Sequence, residues 1–198
     1  MLITRELKNV GTATFHESPL VSIPDLHTVH SPNYVARYLS NGLTKLENRR
    51  IGFPWSEASV QRSLSSTGGT VAATHAVCRP GGARFSGHIA GGTHHAFSDR
   101  GEGFCVFNDI AVSSMVALRD YPKHVLRVLI VDLDVHQGNG CAVLFQSEPR
   151  VTTFSMHCEG NLYSQREKSD IDVDVPVGTG DEAYLQVSNS VRAVTPYG

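Results

Sequence analysis

The sequence predicts an α/β protein built on a parallel sheet flanked by helices. Three observations carry that prediction. Strand-like and helix-like segments alternate along the chain. The run Val125-Leu-Arg-Val-Leu-Ile-Val131 is nearly continuous and branched, as strands buried on both faces of a parallel sheet are. Two clusters of ionisable residues follow candidate strand ends, where open α/β sheets place their ligands. With 198 residues, 40% hydrophobic and 18% charged, the chain has the apolar content for one core, as a single domain or as part of a larger one.

Residues 1–24 have weak periodicity, broken by Pro19 and Pro24, and read as a poorly specified leader. His30-Ser31-Pro32 opens a short helix in which Tyr34, Val35, Tyr38 and Leu39 recur at helical spacing, and Asn41-Gly42 stops it. Ser56 caps a helix running to about Val77. Gly68-Gly69 in its middle would each cost about 1 kcal/mol relative to alanine, so close packing is expected there. Gly81-Gly82 ends this segment, and His88-Ile-Ala-Gly-Gly92 reads as a short strand. Asn108-Asp109 caps a helix to about Asp120, the strand Val125–Val131 follows, and then a helix at about 138–147 and a strand at Val151–Met156. Asp170-Ile-Asp-Val-Asp174 reads as a polar strand face or loop. Gly178-Thr-Gly180 is a turn before a last helix opened by Asp181-Glu182.

Composition excludes several classes. A net charge of -2, from 17 basic and 19 acidic residues, offers no global attraction for nucleic acid. Cys78, Cys105, Cys141 and Cys158 form no C-x-x-C pair, which argues against a zinc ribbon or a disulfide framework and reads as four small buried hydrophobes in a reducing compartment. No apolar run approaches a membrane span, and the first residues resemble neither a signal nor a transit peptide. The chain reads as intracellular, with no membrane partner.

The chemistry sits in two blocks. His94-His95 offers adjacent imidazoles suited to proton transfer. Asp132, Asp134 and His136 alternate, so an extended backbone would point all three to one side as donors for a divalent metal. Gly138 and Gly140 would let the chain turn tightly beyond them. Singly, each has a bland reading: an aspartate at a strand end is usually a cap, and a lone histidine is usually a satisfied surface or core residue. Together, and with Gly103-Phe-Cys-Val-Phe-Asn-Asp109 between them, they favour metal-assisted hydrolysis.

The segments Gly91-Gly-Thr-His-His-Ala-Phe-Ser-Asp-Arg-Gly-Glu-Gly-Phe-Cys-Val-Phe-Asn-Asp109 and Val131-Asp-Leu-Asp-Val-His-Gln-Gly-Asn-Gly140 resemble the zinc-dependent histone deacetylases, which have the arginase/deacetylase fold. Arg50-Ile-Gly-Phe-Pro-Trp55 and Ser155-Met-His157 resemble their class IV-like branch. The similarity runs from about His27 to about Leu185, so residues 25–187 are expected to form the N-terminal part of such a domain and 188–198 an unrelated tail. The resemblance implies Asp134 and His136 as metal ligands and His94 and His95 as the pair that activates water and handles protons. It implies Asp132 as the carboxylate orienting His94, and Asn139 as the partner of His95. Gly103 and Phe104 match the wall of an acyl-lysine tunnel, with a core residue as the bland alternative for Phe104. Leu162 and Tyr163 fall near the rim. Main-chain oxygens around Asp132, Asp134, His136, Ser155 and Met156 match a K+ site.

The resemblance also implies a third metal ligand on a later strand and an oxyanion tyrosine. Neither is matched, and Tyr197 lies outside the family context. The expectation is a truncated deacetylase lacking the later strands, a splice or gene-model product in which Zn2+ is weakly bound or absent. Two functions follow. One is zinc-dependent hydrolysis of acyl-lysine amides in a protein such as a histone tail, in the nucleus or cytoplasm. The other is a catalytically inactive fragment acting through protein association.

Overall fold

The computed structural model describes residues 5–6, 13–160 and 165–192. Local capping chemistry sets most helix starts. Ser22 accepts from the Asp25 N–H to open α1 (Ile23–Leu26), and Ser31 accepts from the Tyr34 N–H to open α2 (Pro32–Leu39), with proline in the first turn of both. The stretch read as a leader therefore has structure at its end: Val21 is buried, and its N–H donates to the Leu64 carbonyl.

Helix α3 (Lys45–Ile51) has no counterpart in the sequence reading. Its apolar residues are only Leu46, which is exposed, and Ile51, so periodicity is silent. Its signature is the reciprocal Thr44–Glu47 capping box, closed at the far end by Gly52 at φ 100°. Helix α4 (Glu57–Cys78) carries the expected Ser56 cap, and its two central glycines sit at close approaches. A Cβ at Gly68 would lie 2.1 Å from the Pro19 carbonyl oxygen, and one at Gly69 would lie 2.3 Å from the His88 ring.

The strand expected at His88–Gly92 does not form. Gly91 and Gly92 have φ of 98° and 74°, and the Gly92 N–H donates to the Asp109 carboxylate instead of a neighbouring strand. Helix α5 (Asp109–Asp120) follows with Asn108 as its cap.

Strand β1 (Val128–Asp132) begins three residues later than its branched run, because the Val125 N–H bonds back to Tyr121 in the turn after α5. Helix α6 (Asn139–Phe145) crosses to β2 (Val151–Cys158), and β3 (Ile171–Val175) follows. The sheet is parallel in the order β1-β2-β3. Among the described residues β2 is the strand covered on both faces, whereas β1 is an edge strand with Val131 54% exposed. That corrects the expectation of a fully buried β1. The Asp170–Asp174 stretch is largely β3, and α7 (Asp181–Arg192) closes the order as expected.

The core joins these layers. Leu26, Tyr34, Tyr38, Phe107, Val112 and Val116 pack the helices together, and Ile130, Phe145 and Val151 join Ala111 and Leu118 of α5 to the sheet. Cys105 and Cys141 are buried as expected, but Cys78 and Cys158 are only partly so.

Candidate active site

The parallel register sets the floor of the site. Asp132 at the carboxyl end of β1 lies beside Ser155 in the middle of β2, which lies beside Asp172 near the start of β3, so three polar side chains form a row across the sheet. Beyond Asp132 the chain leaves the extended conformation. The Asp134 N–H donates to Asp132 Oδ1 (3.0 Å) and the His136 N–H to Asp134 Oδ1 (2.8 Å). These are two successive Asx turns. Asp132, Asp134 and His136 still converge, but through carboxylates bonding the backbone two residues ahead and not through strand alternation.

The turn after them needs glycine for space and not for a left-handed backbone. A Cβ on Gly138 would lie 2.3 Å from Asp132 Oδ2, and one on Gly140 2.5 Å from the His94 carbonyl oxygen. The first turn of α6 thus seats against the histidine pair.

The pair is held from both sides. His94 Nδ1 is 2.5 Å from Asp132 Oδ2, and His95 Nδ1 is 2.7 Å from Asn139 Oδ1. Asn139 Oδ1 also accepts from the Gly140 N–H, while its amide nitrogen faces Glu102 at 3.4 Å. This network sets the amide oxygen toward His95, so His95 Nδ1 carries its proton and Nε2 is the basic nitrogen. The two rings are 4.1 Å apart. Burial would lower both proton affinities. At His94 the hydrogen bond and charge of Asp132, aided by Asp134 and Asp109, outweigh burial and hold the imidazole above its ordinary pKa. At His95 burial and the neighbouring His94 dominate, and it lies below. A neutral amide against one ring and a carboxylate against the other separates two identical side chains.

His136 Nδ1 stands 3.1 Å from Asp134 Oδ1, and its ring centroid is 5.8 Å from that of His95. Burial would raise the Asp134 carboxyl, but the His136 N–H, His94 and the His136 ring draw it below its ordinary value. Two donors on a tetrahedral zinc at about 2.0–2.1 Å would be separated by roughly 3.3 Å, so the carboxylate and imidazole fit adjacent positions on such an ion. A catalytic zinc commonly takes three protein ligands, and among the described residues no group of three His, Cys, Asp or Glu side chains could hold a metal. Asp170 and Asp172 are engaged elsewhere: Asp170 accepts from Thr153, and Asp172 accepts from Gln137 and from the Ser169 N–H.

Gly103 (φ 56°) lies against the dyad, and Phe104 (φ 65°) follows it in the chain. A Cβ on Gly103 would be 2.7 Å from the His95 ring, and Phe104 is 59% exposed, which rules out the core reading. Leu162 and Tyr163 lie outside the described residues.

One residue was read only as part of a helix cap. The Asp109 carboxylate accepts from the Gly92 N–H (3.1 Å), the Thr93 N–H (2.7 Å), the Thr93 hydroxyl (2.5 Å) and the Thr70 hydroxyl (2.5 Å). It fixes the two residues before His94. The pairs Gly91-Gly92 and Asn108-Asp109 were visible in the sequence, but their 16- to 17-residue separation carries no local periodicity.

These features define the class: a parallel α/β protein with a histidine pair backed by one carboxylate and one amide, beside a carboxylate–imidazole pair. A family model for the Histone deacetylase domain matches residues 2–195, and the chain belongs to that family. An uncharacterised protein of Picosynechococcus is 47% identical over 170 residues, covering 83% of this chain and 54% of that protein. The Acetoin utilization protein AcuC of Staphylococcus aureus is 33% identical over 145 residues, covering 70% of this chain and 36% of its own length. The solved structure of an HDAC homolog from Aquifex aeolicus superposes with a TM-score of 0.72 at 26% identity, covering 89% of this chain and 52% of that one. The chain spans about half or less of these relatives.

Proposed function

We propose that this chain carries the proton-transfer and metal-binding half of a zinc-dependent deacetylase acting on acyl-lysine amides of proteins such as histone tails. The observation that carries the reading is the unequal support of the two histidines, with Asp132 behind His94 and Asn139 behind His95. Asp134 and His136 would hold the zinc, which when bound polarises the amide carbonyl and acidifies water. His95, shifted toward the neutral form, takes the proton of the attacking water through Nε2. His94, kept toward the charged form by Asp132, supplies the proton that lets the amine depart. Gly103 and Phe104 line the entry for the acyl-lysine chain. The adjacent backbones of Asp132 and Ser155 are consistent with K+ held by main-chain oxygens of this rim.

The reading places the protein inside the cell, in nucleus or cytoplasm, without contact to nucleic acid. No helix among the described residues is long and apolar enough to cross a membrane. A second reading, a non-catalytic protein acting by association, is favoured by the absence of a three-residue metal group among the described residues. Zinc titration together with acyl-lysine peptide hydrolysis decides between them. The first reading expects near-stoichiometric zinc and turnover abolished in His95→Ala. Failure to bind zinc and to turn over the peptide would refute the first reading and leave the second.

A further inference from the structure

We propose that the groove beside α3 is a docking site for acidic residues flanking the acyl-lysine, so that this protein prefers acidic substrate segments. The proposal rests on the deacetylase reading for its substrate, but the groove itself stands on separate observations. It encloses about 530 Å³ and is lined by Asn41, Lys45, Asn48, Arg49, Phe53 and Trp55, among others.

Charge is the first argument. Helix α3 carries Lys45, Arg49 and Arg50 within seven residues, and its one acid, Glu47, is already engaged. Glu47 caps Thr44 with one oxygen (2.7 Å) and accepts from Arg37 with the other (2.7 Å). Lys45 and Arg49 are exposed and make no ion pair among the described residues. A chain of net charge -2 thus presents a local pair of uncompensated cations on a concave surface. Asn41 and Asn48 add neutral hydrogen-bonding groups. The Trp55 indole N–H is committed to the Tyr38 carbonyl at 2.6 Å, which orients that ring.

Continuity with the candidate active site is the second argument. The last residues of α3 are bonded to the tunnel wall: the Gly103 N–H donates to the Arg50 carbonyl (3.1 Å) and the Phe104 N–H to the Ile51 carbonyl (2.7 Å). Gly52, which lines the groove, lies directly against the Phe104 ring, since a Cβ there would be 2.8 Å from it. Gly103 in turn touches the His95 ring. A lysine entering past Phe104 therefore carries its neighbouring residues over Gly52 and into reach of Lys45 and Arg49. Carboxylates are the groups these cations recognise and a basic flank is repelled, which narrows the acyl-lysine substrates of the proposed reaction away from basic tails of the histone kind and toward acidic segments.

Trp55 is the only tryptophan of the chain, so its fluorescence reports the groove without requiring turnover. The test titrates the full chain with three peptides: acyl-lysine with acidic flanks, the same with neutral flanks, and the acidic peptide without the acyl group. Exposed ion pairs contribute a factor of roughly 1.5 to 5 each, so the two cations together should favour acidic over neutral flanks by roughly two- to twenty-five-fold at low salt. Lys45→Glu/Arg49→Glu should erase or invert that preference. Loss of the acyl group should weaken binding further. Equal affinity for acidic and neutral flanks overturns the proposal, as does equal affinity with and without the acyl group. Acid-selective, acyl-dependent binding without hydrolysis would leave the groove standing and refute the catalytic reading. Hydrolysis indifferent to flanking charge would do the reverse.

Discussion

Replacing Asp109 should loosen the loop that presents the histidine pair, and the cost follows from its four donors. Gly92 N–H, Thr93 N–H, the Thr93 hydroxyl and the Thr70 hydroxyl all point at one carboxylate that is 1% exposed. The Thr93 hydroxyl also reaches the Phe107 carbonyl, so its proton is shared. Thr70 is buttressed in turn: His88 Nδ1 lies 3.2 Å from its oxygen, and His88 Nε2 lies 3.1 Å from Ser18 Oγ. Hydrogen bonds to a charged group contribute about 1.5–3 kcal/mol each. The Gly92 and Thr93 ends are open enough for water to replace part of that. Asp109→Ala should therefore cost on the order of 3–5 kcal/mol, a large share of a typical domain stability of about 5–15 kcal/mol. Asp109→Asn keeps one acceptor oxygen but turns an N–H₂ toward donors, and should cost about half as much. Urea unfolding measures both. At a slope of about 2 kcal/mol per molar, Asp109→Ala moves the midpoint by roughly 1.5–2.5 M. The Thr93 amide should also lose hydrogen-exchange protection. An Asp109→Ala midpoint within about 0.3 M of the parent, with Thr93 still protected, would refute the reasoning.

Gly68→Ala gains helix propensity worth about 1 kcal/mol, but its methyl meets the Pro19 carbonyl and the Val21 N–H, which are backbone and cannot swing aside. Net destabilisation of about 1–3 kcal/mol is expected by thermal or urea unfolding, and a stabilised variant would contradict the packing. Gly103→Ala must place a side chain at φ 56° and within 2.7 Å of the His95 ring, so it should shift the His95 imidazole resonances and lower hydrolysis by about tenfold or more. His30 is 1% exposed, accepts the Asn108 N–H on Nε2 and donates from Nδ1 to the Phe97 carbonyl, and burial depresses its pKa to about 4. Because the folded state holds it neutral, its contribution is intact above the unfolded pKa of about 6.5 and is lost as pH falls toward 4, by roughly 2–3 kcal/mol between pH 7.5 and 4.5. Urea titrations at several pH values should show that slope, flattened in His30→Gln.

Legibility in the sequence followed the range of the interaction. The caps Ser31, Ser56 and Asn108 act within one turn, and the helices they open begin where residue type alone places them. Gly68-Gly69 could be read as a close approach because two glycines in a helix need a compensating contact. What that contact was, the Pro19–Val21 backbone and His88, could not be read, since it joins segments 19 to 49 residues away. The missed helix α3 and the lost strand at 88–92 have the same cause. Periodicity registers burial, and α3 buries almost nothing, while Gly91 and Gly92 obey a carboxylate 17 residues downstream.

The ionisable row shows where the limit of local reading lies. Asp132, Asp134 and His136 were expected together from alternation, yet they meet because each aspartate bonds the amide two residues ahead. Both backbones bring the same groups to one place, so the composition of the site could be read from a wrong geometry. The difference matters for chemistry. An extended chain would leave each carboxylate equally available, whereas the Asx turns assign Asp132 Oδ1 to a backbone amide and Oδ2 to His94. They likewise bring Asp134 Oδ1 to both the amide and the ring of His136. The backbone thereby divides two like aspartates between a buried one holding His94 and a half-exposed one set beside His136, a division that residue identity alone does not contain.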